Sequence, residues 1–186
     1  MEWTLPGTLV KENTEDASTL DQRFATMFMG GGIMLKQIST ITGLETYDVQ
    51  NWVKRGFLPP PQHKQYDLNQ LCRILNINML KNVLTMEQIC GLLGYINGEL
   101  DDESDDLIDD SRLYFMFVSL AARYRTMHNP AGRDEALEAV LEGYEERRPG
   151  AKDRIRQVLR VMLTAWASNQ LRIAAIDILE NLEGKA

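Results

Sequence analysis

Apolar residues recur three and four positions apart through most of this chain, strand-like alternation is nearly absent, and glycine and proline cut the pattern at short intervals. A chain written this way buries its apolar surface as short helices packed face to face. The breakers divide it into about eight of them. With 44% hydrophobic residues over 186 positions, the core can stand without a disulfide or metal staple, since a chain of this length buries roughly 70% of its unfolded surface. The expected class is predominantly all-α.

Ser18 to Met29 reads as a first helix stopped by Gly30-Gly31-Gly32. A phosphate cradle is the poorer reading of those glycines, because no strand precedes them and no Lys-Ser/Thr pair follows. Met34, Leu35, Ile38 and Ile41 line one face of a short helix closed by Gly43. The next helix has Thr46 as its expected N-cap, turns Val49, Trp52 and Val53 inward, and ends at Gly56. Its outer face carries Tyr47, Gln50, Asn51 and Lys54, with Arg55 beside them. Two helices joined by a glycine turn, the second with a long polar face, make a helix-turn-helix pattern.

The stretch from Phe57 to Tyr66 cannot be helical, because Pro59-Pro60-Pro61 removes donors and fixes φ. It is expected as a loop or a wing. Asp67 with Gln70, and Thr85 with Gln88, have the spacing of capping boxes. They open two more helices, one carrying Leu68, Leu71, Ile74 and Leu75, the other running from Met86 to Asn97-Gly98.

The net charge of −7 and pI near 4.9 exclude a protein that coats nucleic acid or anionic membrane non-specifically. The charge is uneven. Residues 99–110 hold eight carboxylates and no base, whereas residues 33–98 hold six basic and four acidic groups. Lys54, Arg55, Lys64, Arg73 and Lys81 face the single Asp67 between positions 54 and 81, so a local basic surface is expected there. The acidic run reads as a solvated linker whose last carboxylates favour the next helix N-terminus. As a calcium loop starting at Asp101, with Glu103 and Asp105, it has Asp106 where glycine is needed and Arg112 at position twelve.

Beyond it, Ser111 to Met127 is apolar almost all round, as befits the centre of a bundle. His128-Asn129-Pro130 breaks it. Leu137, Val140, Leu141 and Tyr144 mark a second helix ending near Pro149-Gly150, Ile155 to Trp166 a third, and Leu171 to Leu182 a fourth, after the polar step Ser168-Asn169-Gln170. The last two can also be read as one kinked helix. The aromatic residues of this half are expected to fill the core, with an effector pocket as the alternative.

Cys72 and Cys90 sit in apolar helical patterns and read as small buried hydrophobes in a reducing, cytoplasmic setting. The first residues lack a secretory pattern, and the longest apolar stretch is about half a membrane span, so no membrane partner is expected. His63 and His128 lie in no ligand spacing with the cysteines, no nucleophile elbow occurs, and neither enzyme activity, metal nor cofactor is expected.

The helix pair, the turn Lys54-Arg55-Gly56-Phe57-Leu58-Pro59 and the run Lys64-Gln65-Tyr66-Asp67 resemble the DNA-binding domain of MerR-type regulators. The words Gly-Leu-Glu-Thr-Tyr-Asp-Val-Gln-Asn-Trp-Val-Lys-Arg-Gly and Leu-Gly-Tyr-Ile-Asn-Gly are more similar still to a Gram-positive family of MerR-like proteins described only as a domain of unknown function. The resemblance implies a winged helix-turn-helix with the second helix in the major groove and the wing on a phosphate strand. Tyr47, Gln50, Asn51, Lys54 and Arg55 would then face DNA, and Lys64 and Tyr66 would contact its backbone. Gln50-Asn51-Trp52 stands where typical relatives have Arg-Tyr-Tyr, and the sequence shows no long dimerising helix beyond residue 100.

The expected organisation is an N-terminal arm and short helix at 1–32, a winged helix-turn-helix domain at 33–98, an acidic linker at 99–110 and a helical bundle at 111–186. The expected function is a dimeric, sequence-specific regulator of transcription that binds double-stranded DNA and responds to a small-molecule or protein effector. Gln and Asn suit adenine edges, Lys and Arg guanine or phosphate. The alternative is a helical adaptor that uses the same face for protein.

Overall fold

The structure, a computed structural model, describes residues 2–13, 19–98, 100, 104–126 and 131–183. The protein is predominantly helical. Eight helices are present among the described residues, with two antiparallel pairs of short strands. No described helix is long and apolar enough to cross a membrane.

The first pair is a hairpin of β1 (Glu2–Thr4) and β2 (Lys11–Asn13), within the segment that the sequence reads as an N-terminal arm. It turns through Leu5-Pro6-Gly7-Thr8, and the Thr8 hydroxyl donates to Leu5 O at 3.0 Å. Trp3 and Leu5 are buried. Helix α1 (Leu20–Met27) is shorter than the sequence suggests and also contributes two core residues, Leu20 and Phe24. Ser18, where it was expected to start, lies outside the described residues, as do Asp101 and Glu103 of the acidic run and the break at His128-Asn129-Pro130.

A two-residue strand β3 (Ile33–Met34) leads into α2 (Leu35–Thr42). Gly43 closes α2 in the left-handed conformation, φ 72°. Helix α3 (Thr46–Lys54) follows, its N-cap Glu45 one position before the one expected. Gly56, φ 71°, ends it. The proline segment then runs to β4 (Gln65–Tyr66), which pairs with β3 so that Tyr66 lies opposite Ile33.

Helix α4 (Leu68–Leu80) is the axis of the molecule, with ten of its residues buried. Both capping boxes are present, Asp67 accepting from Gln70 N at 2.8 Å and Thr85 from Gln88 N at 3.3 Å at the start of α5 (Met86–Asn97). Helix α6 (Asp110–Thr126) packs along α4, and α7 (Ala131–Leu141) packs on α6. Of the two readings of the end of this half, two helices or a single one, the structure has the single helix, α8 (Ala151–Glu183). Asn169, in the middle of the polar step read as a break, is buried and its Oδ1 accepts from Arg172 Nε at 3.2 Å. The step is part of the packing.

The acidic stretch is anchored where a solvated linker was expected. Leu107 and Ile108 are buried, Leu107 N donates to Ile96 O at 2.9 Å, and Tyr144 Oη donates to Leu107 O at 2.7 Å.

A helix face and hairpin as candidate functional site

Helix α3 buries Val49 and Trp52 and leaves Tyr47, Gln50, Asn51 and Lys54 exposed, Tyr47 at 60%. Spacings of three and four put these four on one face. Arg55, the C-cap, is exposed as well, but its guanidinium lies 4.5 Å from the centre of the Phe57 ring and 3.4 Å from Glu87 Oε1. An exposed pair of that kind contributes about 0–1 kcal/mol, so Arg55 is available to a stronger anion.

Next to this face stands a tight hairpin. Gln62 and Gln65 exchange backbone hydrogen bonds of 3.0 and 2.8 Å, which leaves His63 and Lys64 as a two-residue turn. Their φ values, 50° and 64°, are the pair of positive angles that a type I′ turn requires. Lys64 is therefore at the tip, exposed. Gln50, Val53, Leu35, Pro61, Lys64 and Tyr66 border one cavity of about 430 Å³ between α3 and the hairpin.

Tyr66 and Arg73 depart from the sequence reading. Tyr66, expected to reach a phosphate from the wing, is 3% exposed; the strand pairing turns its ring into the core, and burial pushes its hydroxyl pKa up. Arg73 is absent from the expected basic surface. It is buried, with Nε donating to Phe57 O at 2.9 Å and Nη1 to Asp110 Oδ2 at 3.1 Å. Burial outweighs the Arg73 charge at Asp110 and raises that carboxyl above its ordinary value. Arg73 thus ties the turn after α3 to the first residue of α6.

Gln70 was read only as a capping residue, yet its Nε2 also donates to Pro59 O and Pro60 O at 3.3 and 2.9 Å, holding the proline segment against α4. Asn78 Nδ2 bridges Gly7 O and Thr42 O, at 2.9 and 3.1 Å. The signal for Arg73 was in the sequence: a charged residue inside the apolar run from Leu71 to Leu75 must be paired if the helix is buried. Among the described residues no group of three or more His, Cys, Asp or Glu side chains is placed to hold a metal.

Residues 28–117, from the turn after α1 to the middle of α6, match the family described as Domain of unknown function (DUF1836). The chain is also similar to the uncharacterized protein YkrK of Bacillus subtilis (strain 168), 25% identical over 119 residues, which is 62% of this chain and 51% of that protein. It thus spans about half the length of that curated relative. No solved structure matches.

Proposed function

We propose that the chain is a sequence-specific DNA-binding regulator of transcription, with α2, α3 and the β3–β4 hairpin forming a MerR-like winged helix-turn-helix. The observation that carries this reading is the exposed row Tyr47, Gln50, Asn51 and Lys54 beside the turn that presents Lys64. Amides and cations on a helix with a free outer face have the donor and acceptor pattern that base edges and phosphates require. Tyr66 takes a different part from the one its position first suggested, as the buried footing of the hairpin.

A homodimer completes the reading, since one short helix gives little contact area and twofold symmetry doubles it. Support comes from α8. Its first half packs on α5, α6 and α7, whereas residues 170–182 are exposed. Leu171, Ala175, Ile178 and Leu182 follow steps of four, three and four, the rhythm of a coiled-coil seam. In this reading the second half of α8 takes the part of the dimerising helix.

The test is binding of the full chain to labelled upstream duplex and to a scrambled duplex across a salt series, with and without Lys54→Ala. Selective binding that loses affinity in the variant, with the slope of log K against log salt reduced by about one unit, is expected. Equal or absent binding to upstream duplexes, with the slope unmoved, would turn the reading over to a protein partner on the same face.

A further inference from the structure

The cavity of about 430 Å³ between α3 and the hairpin has a wall unlike the rest of that face, which is made of amides and cations. Leu35, Val53, Pro61 and the ring of Tyr66 make it apolar, and Gln50 and Lys64 supply its polar groups. No carboxylate of the described residues borders it, in a chain of net charge −7. Leu35, Val53 and Pro61 are each only half-buried. The side chains of Gln50 and Lys64 are exposed, and no other described residue engages them.

An apolar recess set among groups that suit DNA restricts which part of DNA can enter it. A phosphate, or a base edge with a donor or acceptor, would lose water there without gaining a partner. In the major groove one apolar group projects from the bases, the C5 methyl of thymine; cytosine presents an N4 donor and the purines an N7 acceptor. Charge favours the same occupant. Lys64 borders the recess and Lys54 and Arg55 directly follow Val53 in the chain, so the phosphates on either side of such a base meet cations. The reach also fits. Gln50 and Val53 are three residues apart, about 4.5 Å along the helix, and successive base pairs are about 3.4 Å apart. An amide on one base edge therefore brings the recess over the same base pair or the next.

We propose that the recess between α3 and the hairpin receives the C5 methyl of a thymine, with Val53 and Leu35 as its walls, and that this contact makes the chain select thymine at one fixed position of each half-site. The inference rests on the DNA reading above and names a base feature that the reading leaves open. The competing occupant is an apolar side chain of a protein partner, and the experiment separates the two.

The full chain is titrated into the upstream duplex by fluorescence anisotropy at fixed salt, with each thymine replaced in turn by deoxyuridine. That replacement removes the methyl and keeps every hydrogen-bonding atom of the base. One position per half-site should weaken binding roughly fourfold, the value of taking one methyl-sized group out of an apolar contact. At that position 5-bromodeoxyuridine, whose bromine is close to a methyl in size, should restore it. Val53→Ala should bind the thymine and deoxyuridine duplexes equally, whereas a merely structural loss would weaken both and keep the difference between them. Should Val53→Ala fail to fold, Leu35→Ala takes its place, and should both fail, the scan with the unaltered chain decides. Deoxyuridine tolerated at every position, no rescue by bromine, or a difference that persists in the variants would each overturn the methyl contact while the DNA reading stands. Absence of selective duplex binding would overturn both and assign the recess to the protein partner.

Discussion

Gly7 admits no side chain. Its φ is +75°, and a Cβ there would stand 2.4 Å from the carbonyl oxygen of Leu75 in the middle of α4. Gly7→Ala therefore combines left-handed strain with a clash against backbone that cannot move, and a loss of about 2–4 kcal/mol is expected in urea unfolding. Arg73 and Asp110 are the other decisive pair. Arg73→Ala leaves a buried carboxylate alone and should cost about 3–5 kcal/mol. The pH dependence has a definite sign. Burial holds the folded-state pKa of Asp110 above its ordinary value, so the folded protein holds that proton more tightly than the unfolded chain. The group's contribution to stability then falls as pH rises from the ordinary carboxylate value through the raised one. Unfolding free energies of the wild type, referenced to Asp110→Asn at each pH, should decline across that window and level off above it. A flat difference would show that the carboxyl is solvated. Burial also pushes the Cys72 thiol well up and the Cys90 thiol up; Cys72 is the small buried hydrophobe that the sequence predicts, whereas Cys90 is only half-buried.

Among the elements, the hairpin turn is built from residues that resist it. His63 and Lys64 both hold positive φ, where asparagine and glycine are the usual occupants. His63→Gly should relieve about 1 kcal/mol and raise the thermal midpoint by a few degrees while leaving Lys64 in place. An unchanged or lower midpoint would mean that the imidazole makes a compensating contact. That unusual turn is why the strands were not legible in the sequence: they are two residues long, carry no alternating run and lack a glycine signal. The helices were legible where a side chain does the capping, as at Asp67 and Thr85, or where glycine ends the turn, as at Gly43 and Gly56. The site divides in the same way. The exposed row on α3 follows from the spacing of Val49 and Trp52, which fixes the inner face. Tyr66 could not be placed without Ile33 across the strand pair, and for Arg73 the apolar run around it signals a paired charge but not that the partner is Asp110 of α6.

At the scale of the whole molecule, the divisions drawn along the sequence do not separate bodies with cores of their own. Buried residues from the first hairpin to α8 form one continuous core, and the matched segment 28–117 ends inside α6, with half of that helix still to come. What extends past the core is the second half of α8. Ile178 is 63% exposed on the apolar stripe, so Ile178→Glu should leave the thermal midpoint nearly unmoved while converting a dimer to a monomer in sedimentation equilibrium. A wild-type chain that sediments as a monomer would remove the stripe from the argument. The hairpin at the other end has a consequence in time. Trp3 meets Trp166 edge to face at 6.4 Å, and Pro6 O accepts from Tyr114 Oη at 2.9 Å. During synthesis the first strand must therefore wait, its tryptophan without a berth, until α8 has been translated. The fold closes by joining residues 3–6 to positions more than a hundred residues further along the chain, and long-range closure of that kind slows folding relative to local helical contacts.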